Sequence, residues 1–244
     1  MVKISKLAWT GLAINIILAA ITQFYLSQNG ALSSYEELLL EDFIKIVLII
    51  FAISIPMQVI SLLLLSKAPK TGRVLAFIAT VMMLPLSMIF FIGYLFSYEW
   101  RYNRGLTLFN ASAYPPLDVS LGFNVKQFSL SGILCIVLGI VIALLGINVG
   151  WVVVVAGVVA LINSFRLENR IMIGVSQDNL IITPALYAET FIMPISDVTL
   201  IQDKPQSFKL KIKSGGVDRT CTILKRKHQQ ADFGKVIAKI ATKK

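Results

Sequence analysis

A long apolar stretch, Ser131–Asn163, limits what this protein can fold into. It reads SGILCIVLGIVIALLGINVGWVVVVAGVVALIN and holds 33 residues without a single charge. As one straight helix it would be about 50 Å long, whereas about 20 residues suffice to cross a hydrocarbon core of about 30 Å. The stretch therefore predicts a transmembrane hairpin, broken between Gly146 and Gly150.

Three further apolar segments precede this hairpin: Leu7–Tyr25, Phe43–Leu65 and Val74–Phe96. The chain is 56% hydrophobic with a mean hydropathy of +0.77, above the roughly 45–50% apolar share of soluble domains. We therefore expect a membrane α-helical bundle of five apolar segments, followed by a β-rich C-terminal domain. Pro56 and Pro85 predict kinks in the second and third segments, which serve either as a gate or hinge or as ordinary irregularities of membrane helices.

The basic residues of the N-terminal half indicate its orientation. A cytoplasmic N-terminus places all of them on one side, as the positive-inside rule requires: Lys3, Lys6, Lys67, Lys70 and Arg73. The acidic connector 26–42 and the polar loop 97–130 then lie outside the cytoplasm. The expectation is a multi-pass protein of a bacterial inner membrane.

The number of crossings made by residues 131–163 decides where residues 164–244 lie. Two crossings place this last part outside the cytoplasm, whereas one crossing or a re-entrant arm places it inside. It carries 14 Lys or Arg against 7 Asp or Glu, a net charge of +7, which suits the anionic cytoplasmic leaflet. Together with Cys221, for which the sequence predicts no disulfide, this charge favours the cytoplasmic placement.

Residues 164–244 change to the two-residue period of β-strands. Phe208, Leu210 and Ile212 alternate with Lys209, Lys211 and Lys213. Ser214-Gly215-Gly216 then predicts a tight turn into a return strand. At the end, Phe233, Val236, Ile237 and Ile240 share one helical face. We expect a soluble domain of five to seven short antiparallel strands, closed by one amphipathic helix.

Two segments of this domain carry a resemblance to known proteins. They are residues 173–183, IGVSQDNLIIT, and residues 193–201, MPISDVTLI. Over residues 131–244 the chain resembles bacterial integral membrane proteins in which a transmembrane hairpin runs into a pleckstrin-homology-like (PH-like) domain. The resemblance implies a PH-like fold on the cytoplasmic side. Fold likeness by itself confers no activity.

The motifs of common enzymes and carriers are missing from the sequence. It contains no phosphate-binding G-x-x-x-x-G-K-[ST] run, no H-E-x-x-H and no G-x-S-x-G. One His and two Cys do not make a usual zinc site. Within the predicted spans Lys45 is the only charged residue, which argues against an ion-coupled carrier. We expect no catalytic residues, no metal and no cofactor.

Two groups of residues are candidates for a site or an interface. The first is a basic surface, and the second is a set of glycines at seven-residue spacing that lets helices approach closely. The basic surface holds Lys209, Lys211, Lys213, Lys225, Arg226 and Lys227; the glycines are Gly132, Gly139, Gly146, Gly150 and Gly157. The basic residues would dock on anionic headgroups or on a partner, or form a solvated edge protected from aggregation. The glycines form a packing seam, within the hairpin or between subunits, or are merely common in membrane helices.

Two functional hypotheses follow. In the first, a non-enzymatic inner-membrane protein uses its PH-like domain to bind a partner or the membrane surface in a scaffolding or regulatory role. In the second, it is a membrane effector or immunity-type protein that forms or blocks a pore, with the β-domain as sensor. The expected partners are the lipid bilayer, anionic headgroups, and further copies or subunits of a membrane complex. Nucleic acid is not expected, because no aromatic residues alternate with the basic ones.

Overall fold

The computed structural model describes residues 3–29, 35–111, 117–147, 149–225 and 230–241. The chain divides into two compact units, Met1–Arg101 and Tyr102–Lys244. Within the described residues, four helical segments are long and apolar enough to cross a membrane: Lys6–Gln28, Asp42–Lys67, Val125–Leu144 and Val149–Leu167. These four helices are consistent with a multi-pass membrane protein, and the C-terminal part of the chain is an antiparallel β region.

The first unit consists of four helices: α1 (Lys6–Asn29), α2 (Tyr35–Lys67), α3 (Pro69–Met82) and α4 (Met88–Tyr102). The structure differs here from the single span expected over Val74–Phe96, because residues 83–87 form a turn between α3 and α4. Pro85 lies in that turn, where its ring and missing N–H disfavour a continuous helix. With 14 residues, α3 is only about 21 Å long.

Helix α4 runs back along α3, so the two make a short helical hairpin. The rings of Phe77 and Phe91 lie 5.9 Å apart, centroid to centroid. One turn nearer the start of α3, the Arg73 guanidinium lies 5.5 Å from the centre of the Tyr98 ring. The Arg73–Tyr98 contact is further from Pro85 on both helices than the Phe77–Phe91 contact, as expected for two antiparallel helices joined at that turn.

Helix α1 packs so closely against α4 that their backbones are in contact at two glycines. A Cβ added to Gly11 would lie 2.3 Å from the Phe90 nitrogen, and one added to Gly93 would lie 2.1 Å from the Ala8 nitrogen. At the end of this contact the Ser5 N–H donates to the Ser97 hydroxyl at 2.9 Å. The start of α1, the α2–α3 connection and the end of α4 therefore lie at the same end of the unit.

The second unit begins with two strands and then forms the hairpin expected from the uncharged stretch. Helix α5 spans Val125–Leu144 and α6 spans Val149–Leu167, so both extend beyond the predicted bounds 131–163. The chain reverses near Gly146, whose φ of +79° suits glycine better than any residue with a side chain. The two helices pack closely along their whole length.

Two antiparallel sheets enclose the core of the β-domain; their first two strands precede the hairpin in the chain and the other strands come after it. The five-stranded sheet has the order β1-β5-β4-β3-β2 and the three-stranded sheet the order β6-β7-β8. The strands are β1 (Thr107–Leu108), β2 (Val119–Gly122), β3 (Ile171–Ser176), β4 (Asn179–Ile182), β5 (Phe191–Pro194), β6 (Val198–Asp203), β7 (Ser207–Ser214) and β8 (Val217–Leu224). Helix α7 (Gln230–Ala241) contacts β2 and β6.

Strands β1 and β2 come from the segment 97–130, which the sequence predicts to be a separate polar loop. Leu121 on β2 pairs with Ile173 on β3, and Leu108 on β1 pairs with Phe191 on β5. Leu106 and Leu121 are also part of the domain core. The segment 97–130 is therefore part of the β-domain rather than a separate loop. The side of the membrane on which the segment and the domain lie stays a prediction.

The core of the β-domain lies between the sheets and α7. Phe208, Leu210 and Ile212 of β7 are fully buried, as are Phe233 and Val236 of α7. The Phe208 and Phe233 rings meet edge to face with centroids 5.9 Å apart. The apolar face expected for the closing helix is thus the face that α7 buries.

Candidate functional site

The outer side of the three-stranded sheet carries a row of lysines. Because alternate side chains of a strand point to opposite sides, burial of Phe208, Leu210 and Ile212 puts Lys209, Lys211 and Lys213 on the outer side of β7. On the neighbouring strands they pair with Thr199, Thr220, Thr222 and Asp218, among others. We call this surface the lysine face; it consists of Thr199, Lys209, Lys211, Lys213, Asp218, Thr220 and Thr222.

Most of the positive charge on the lysine face is not neutralised locally. Lys211 lies 3.5 Å from the Asp218 carboxylate, and the two side chains are 38% and 60% exposed. Such exposed pairs contribute only about 0–1 kcal/mol. Among the described residues, Lys209 and Lys213 form no ion pair. The surface is thus a β-sheet face of ammonium and hydroxyl groups with one carboxylate, that of Asp218.

Lys225 does not join this face. Its ammonium forms an ion pair with Asp203 and lies 6.0 Å from the centre of the Phe208 ring, and its side chain is only 13% exposed. Lys225 therefore holds the end of β8 against the end of β6 and offers little charge to a partner. Arg226 and Lys227, expected beside it, lie outside the described residues.

The hairpin and the β-domain are joined by hydrogen bonds that the sequence does not reveal. From the last turn of α6, the Arg166 guanidinium donates to the carbonyl oxygens of Leu186 (2.7 Å) and Ala188 (3.2 Å). Arg170 donates to the same Ala188 carbonyl at 2.8 Å and forms an ion pair with Glu189 at 2.9 Å. We call this group, Arg166, Arg170 and residues 186–189, the arginine joint.

The arginine joint restricts how the β-domain moves relative to its own helices. Only two residues separate β2 from α5, and only three separate α6 from β3. With two short connections and several charged hydrogen bonds, the sheet is fixed to the end of the hairpin. The sequence shows two arginines four positions apart at the end of a predicted span. It does not show their acceptors, because the carbonyl groups that they bind lie about 20 residues further along the chain.

Four of the five predicted packing glycines lie where α5 meets α6. A Cβ on Gly132 would lie 2.9 Å from the Gly157 oxygen, and one on Gly139 would lie 2.7 Å from the Gly150 oxygen. Each pair allows the two backbones to touch. Gly146 differs from the expectation, since it lies in the turn and a Cβ there would meet no atom within 4 Å.

A cluster of buried polar side chains lies at the tip of the α3–α4 hairpin. The Asn15 amide donates to Gln58 Oε1 (2.9 Å) and to the Ser87 hydroxyl (3.1 Å). The Gln58 amide donates to Ser87 (3.0 Å) and Ser54 (3.2 Å). All four side chains are fully buried. We call them the polar cluster; it joins α1, α2 and the hairpin tip.

The two prolines predicted to kink helices have different surroundings. Pro56 lies inside α2, which continues on both sides of it. Pro85 lies in the turn between α3 and α4, two residues before Ser87. The polar cluster and the proline together therefore mark the point where the chain turns back.

Metal binding has no support in the described part of the chain, where no group of three or more His, Cys, Asp or Glu side chains is placed to hold an ion. Comparison of the chain with protein-family models, with curated proteins and with solved structures finds no match.

Proposed function

We propose that the chain is a non-enzymatic protein of a bacterial inner membrane, with its N-terminus and its β-domain both in the cytoplasm. In this proposal the β-domain is PH-like and binds an acidic partner, either a protein or the membrane surface, in a scaffolding or regulatory role. The observation that carries the proposal is the lysine face on a domain fixed to its membrane hairpin. Its supports are the topology, the charge distribution and the arginine joint.

The topology follows if the α3–α4 hairpin is re-entrant. Ser87 at its tip reaches Asn15, which lies nine residues into α1, or about 14 Å along the helix axis. That depth is roughly half of a hydrocarbon core of about 30 Å. Helices α1 and α2 then cross once each, α3–α4 enters and leaves on one side, and α5–α6 crosses and returns.

The charges agree with this topology better than with five crossings. The start of α1, the start of α3 and the end of α4 share one end of the first unit, which gathers Lys3, Lys6, Lys67, Lys70, Arg73 and Arg101. With that end in the cytoplasm, the positive-inside rule is satisfied. The segment after α4, and the β-domain with its net charge of +7, lie on the same side.

A single-cysteine labelling experiment tests the orientation. In a chain with Cys135→Ala and Cys221→Ala, Thr220→Cys on the lysine face is expected to resist a membrane-impermeant maleimide until the inner membrane is permeabilised. The matched control is Ser27→Cys, at the other end of α1, which is expected to react in intact spheroplasts. Labelling of Thr220→Cys in intact spheroplasts would overturn the cytoplasmic placement.

Photo-crosslinking tests the docking role. A photoreactive residue at Thr220 is expected to capture lipid or one specific protein in cells, and the combined change Lys209→Glu, Lys211→Glu and Lys213→Glu is expected to abolish the capture. The control is Lys235→Glu on α7, an exposed lysine away from this face. Capture that survives the triple change, or no capture at all, would remove the basis of the proposal.

The effector hypothesis stays a prediction. Asn15 and Gln58, polar residues of the first two spans that could line a pore, hydrogen-bond to each other and to Ser87. Assembly with further copies or with other subunits stays a prediction.

A further inference from the structure

A groove runs along the outer surface of the α3–α4 hairpin. Its volume is about 570 Å³, and it is lined by Lys70, Arg73, Val74, Phe77, Phe91 and Tyr98. The two cations lie at its α3 N-terminal end, and the apolar side chains continue from there towards the hairpin tip. The groove is therefore amphipathic along its length, with charge only at the end where the helix begins.

The charged end of the groove is built to face an anion. Both Lys70 and Arg73 are exposed, and among the described residues neither forms an ion pair with a carboxylate. The Tyr98 ring lies 5.5 Å from the Arg73 guanidinium, which positions that group without neutralising it. Two cations three residues apart on a helix are neighbours on one face.

The apolar end of the groove has the character of a surface that meets an acyl chain. Val74 and Phe77 are more than half exposed, and Phe77 packs against Phe91 with ring centroids 5.9 Å apart. Phe77 lies four residues after Arg73, which is about 6 Å further along the helix axis. A molecule bound to both cations therefore extends its remainder directly over these rings.

We infer that this groove binds one phospholipid with an anionic headgroup. The phosphate contacts Lys70 and Arg73, and an acyl chain lies against Val74, Phe77 and Phe91. A free phosphate or a soluble phosphorylated molecule would use only the charged end and would leave the aromatic rings uncovered. Basic pockets beside membrane helices bind anionic lipid headgroups in this manner. The site is independent of the lysine face and of the role proposed for the β-domain.

Native mass spectrometry of the full-length protein in detergent tests the inference by titration with phosphatidylglycerol or phosphatidylcholine. The wild type is expected to retain one phosphatidylglycerol in preference to phosphatidylcholine. The double change Lys70→Gln with Arg73→Gln is expected to weaken phosphatidylglycerol binding by about tenfold to thirtyfold, since each cation near a headgroup contributes on the order of a factor of five. The matched control is Lys6→Gln with Lys67→Gln, which removes two charges at the same end but outside the groove.

A second variant separates a lipid from a free anion. Phe77→Ala is expected to weaken binding of diacyl phosphatidylglycerol while binding of glycerol phosphate stays unchanged. An equal loss in both double variants would mean that only net charge matters, and equal binding of both lipids by the wild type would mean that the groove does not select anions. Binding that is unaffected by Phe77→Ala would assign the site to a free anion. Each of these outcomes overturns the inference, and thermal unfolding of every variant identifies any that is misfolded.

Discussion

The two helical hairpins of this protein, α3–α4 and α5–α6, are both apolar, yet they are built in different ways. In α5–α6 each helix has 19 or 20 residues, glycines join the two backbones, and the turn contains Gly146. In α3–α4 each helix has 14 or 15 residues, the turn contains Pro85, and its tip is held by the polar cluster. The two hairpins differ in the length of their helices and in the residues that hold the turn.

The largest expected effect concerns the glycine contact of α5–α6. In Gly139→Leu, the new side chain would lie where a Cβ already comes within 2.7 Å of the Gly150 oxygen and the Val154 nitrogen. Because neither backbone atom can move without separating the helices, we expect a loss of about 3 kcal/mol. Unfolding of the full-length protein in mixed micelles, by titration with a denaturing detergent, measures it.

Ile140→Leu is the control for this change, since Ile140 is 43% exposed on the outside of the same helix. Its expected effect is within about 0.5 kcal/mol. If the two variants unfolded alike, the glycines would not be what distinguishes α5–α6 from α3–α4.

The next effect concerns the tip of α3–α4. Gln58→Leu removes the hydrogen bonds between Gln58 and the side chains of Asn15, Ser54 and Ser87. Their buried polar groups lose a partner, so we expect a loss of about 1–3 kcal/mol, measured by the same unfolding titration. Gln23→Leu, an exposed glutamine on α1, is expected to leave stability nearly unchanged. A silent Gln58→Leu would contradict the assignment of the polar cluster as the anchor of the tip.

The smallest effect concerns Asp118, at the start of the segment that leads through β2 into α5. The Lys239 ammonium, and then the Gln177 N–H, hydrogen-bond its carboxylate and hold its pKa below the usual value. A lowered pKa means that this carboxylate stabilises the fold above its unfolded pKa of about 3.9, and that the contribution disappears as the pH falls through the folded value. Between pH 5 and pH 3 the thermal midpoint of the wild type is expected to fall more than that of Asp118→Asn, because only the wild type loses this carboxylate's contribution. An unchanged pH profile would mean that this exposed pair contributes nothing.

The sequence predicts the α5–α6 hairpin and the closing helix because their signals are local. Gly146 falls within an uncharged stretch of 33 residues, longer than the roughly 20 residues that one crossing needs. Phe233, Val236 and Ile240 repeat at helical spacing. The signal for the lysine face is also local, because the two-residue period of a strand places Lys209 and Leu210 on opposite sides of the sheet.

The remaining features depend on residues far apart in the chain. Pro56 and Pro85 give the same sequence signal, yet α2 continues through Pro56 and the chain turns back at Pro85. The turn at Pro85 lies beside Ser87, whose hydroxyl meets the Asn15 and Gln58 side chains across 72 and 29 positions. Lys225 likewise belongs to a basic run, but Asp203 neutralises it. Periodicity cannot reveal such partners.

The sheet that combines β2 with β3 sets an order for biosynthesis. Leu121 leaves the ribosome well before its partner Ile173, and roughly 50 residues at 5–20 per second amount to about 3–10 s. Throughout that interval the nascent β2 lacks its partner strand β3. In the proposed topology, the sheet can close only after α5 and α6 have returned the chain to the side of the membrane from which β2 came.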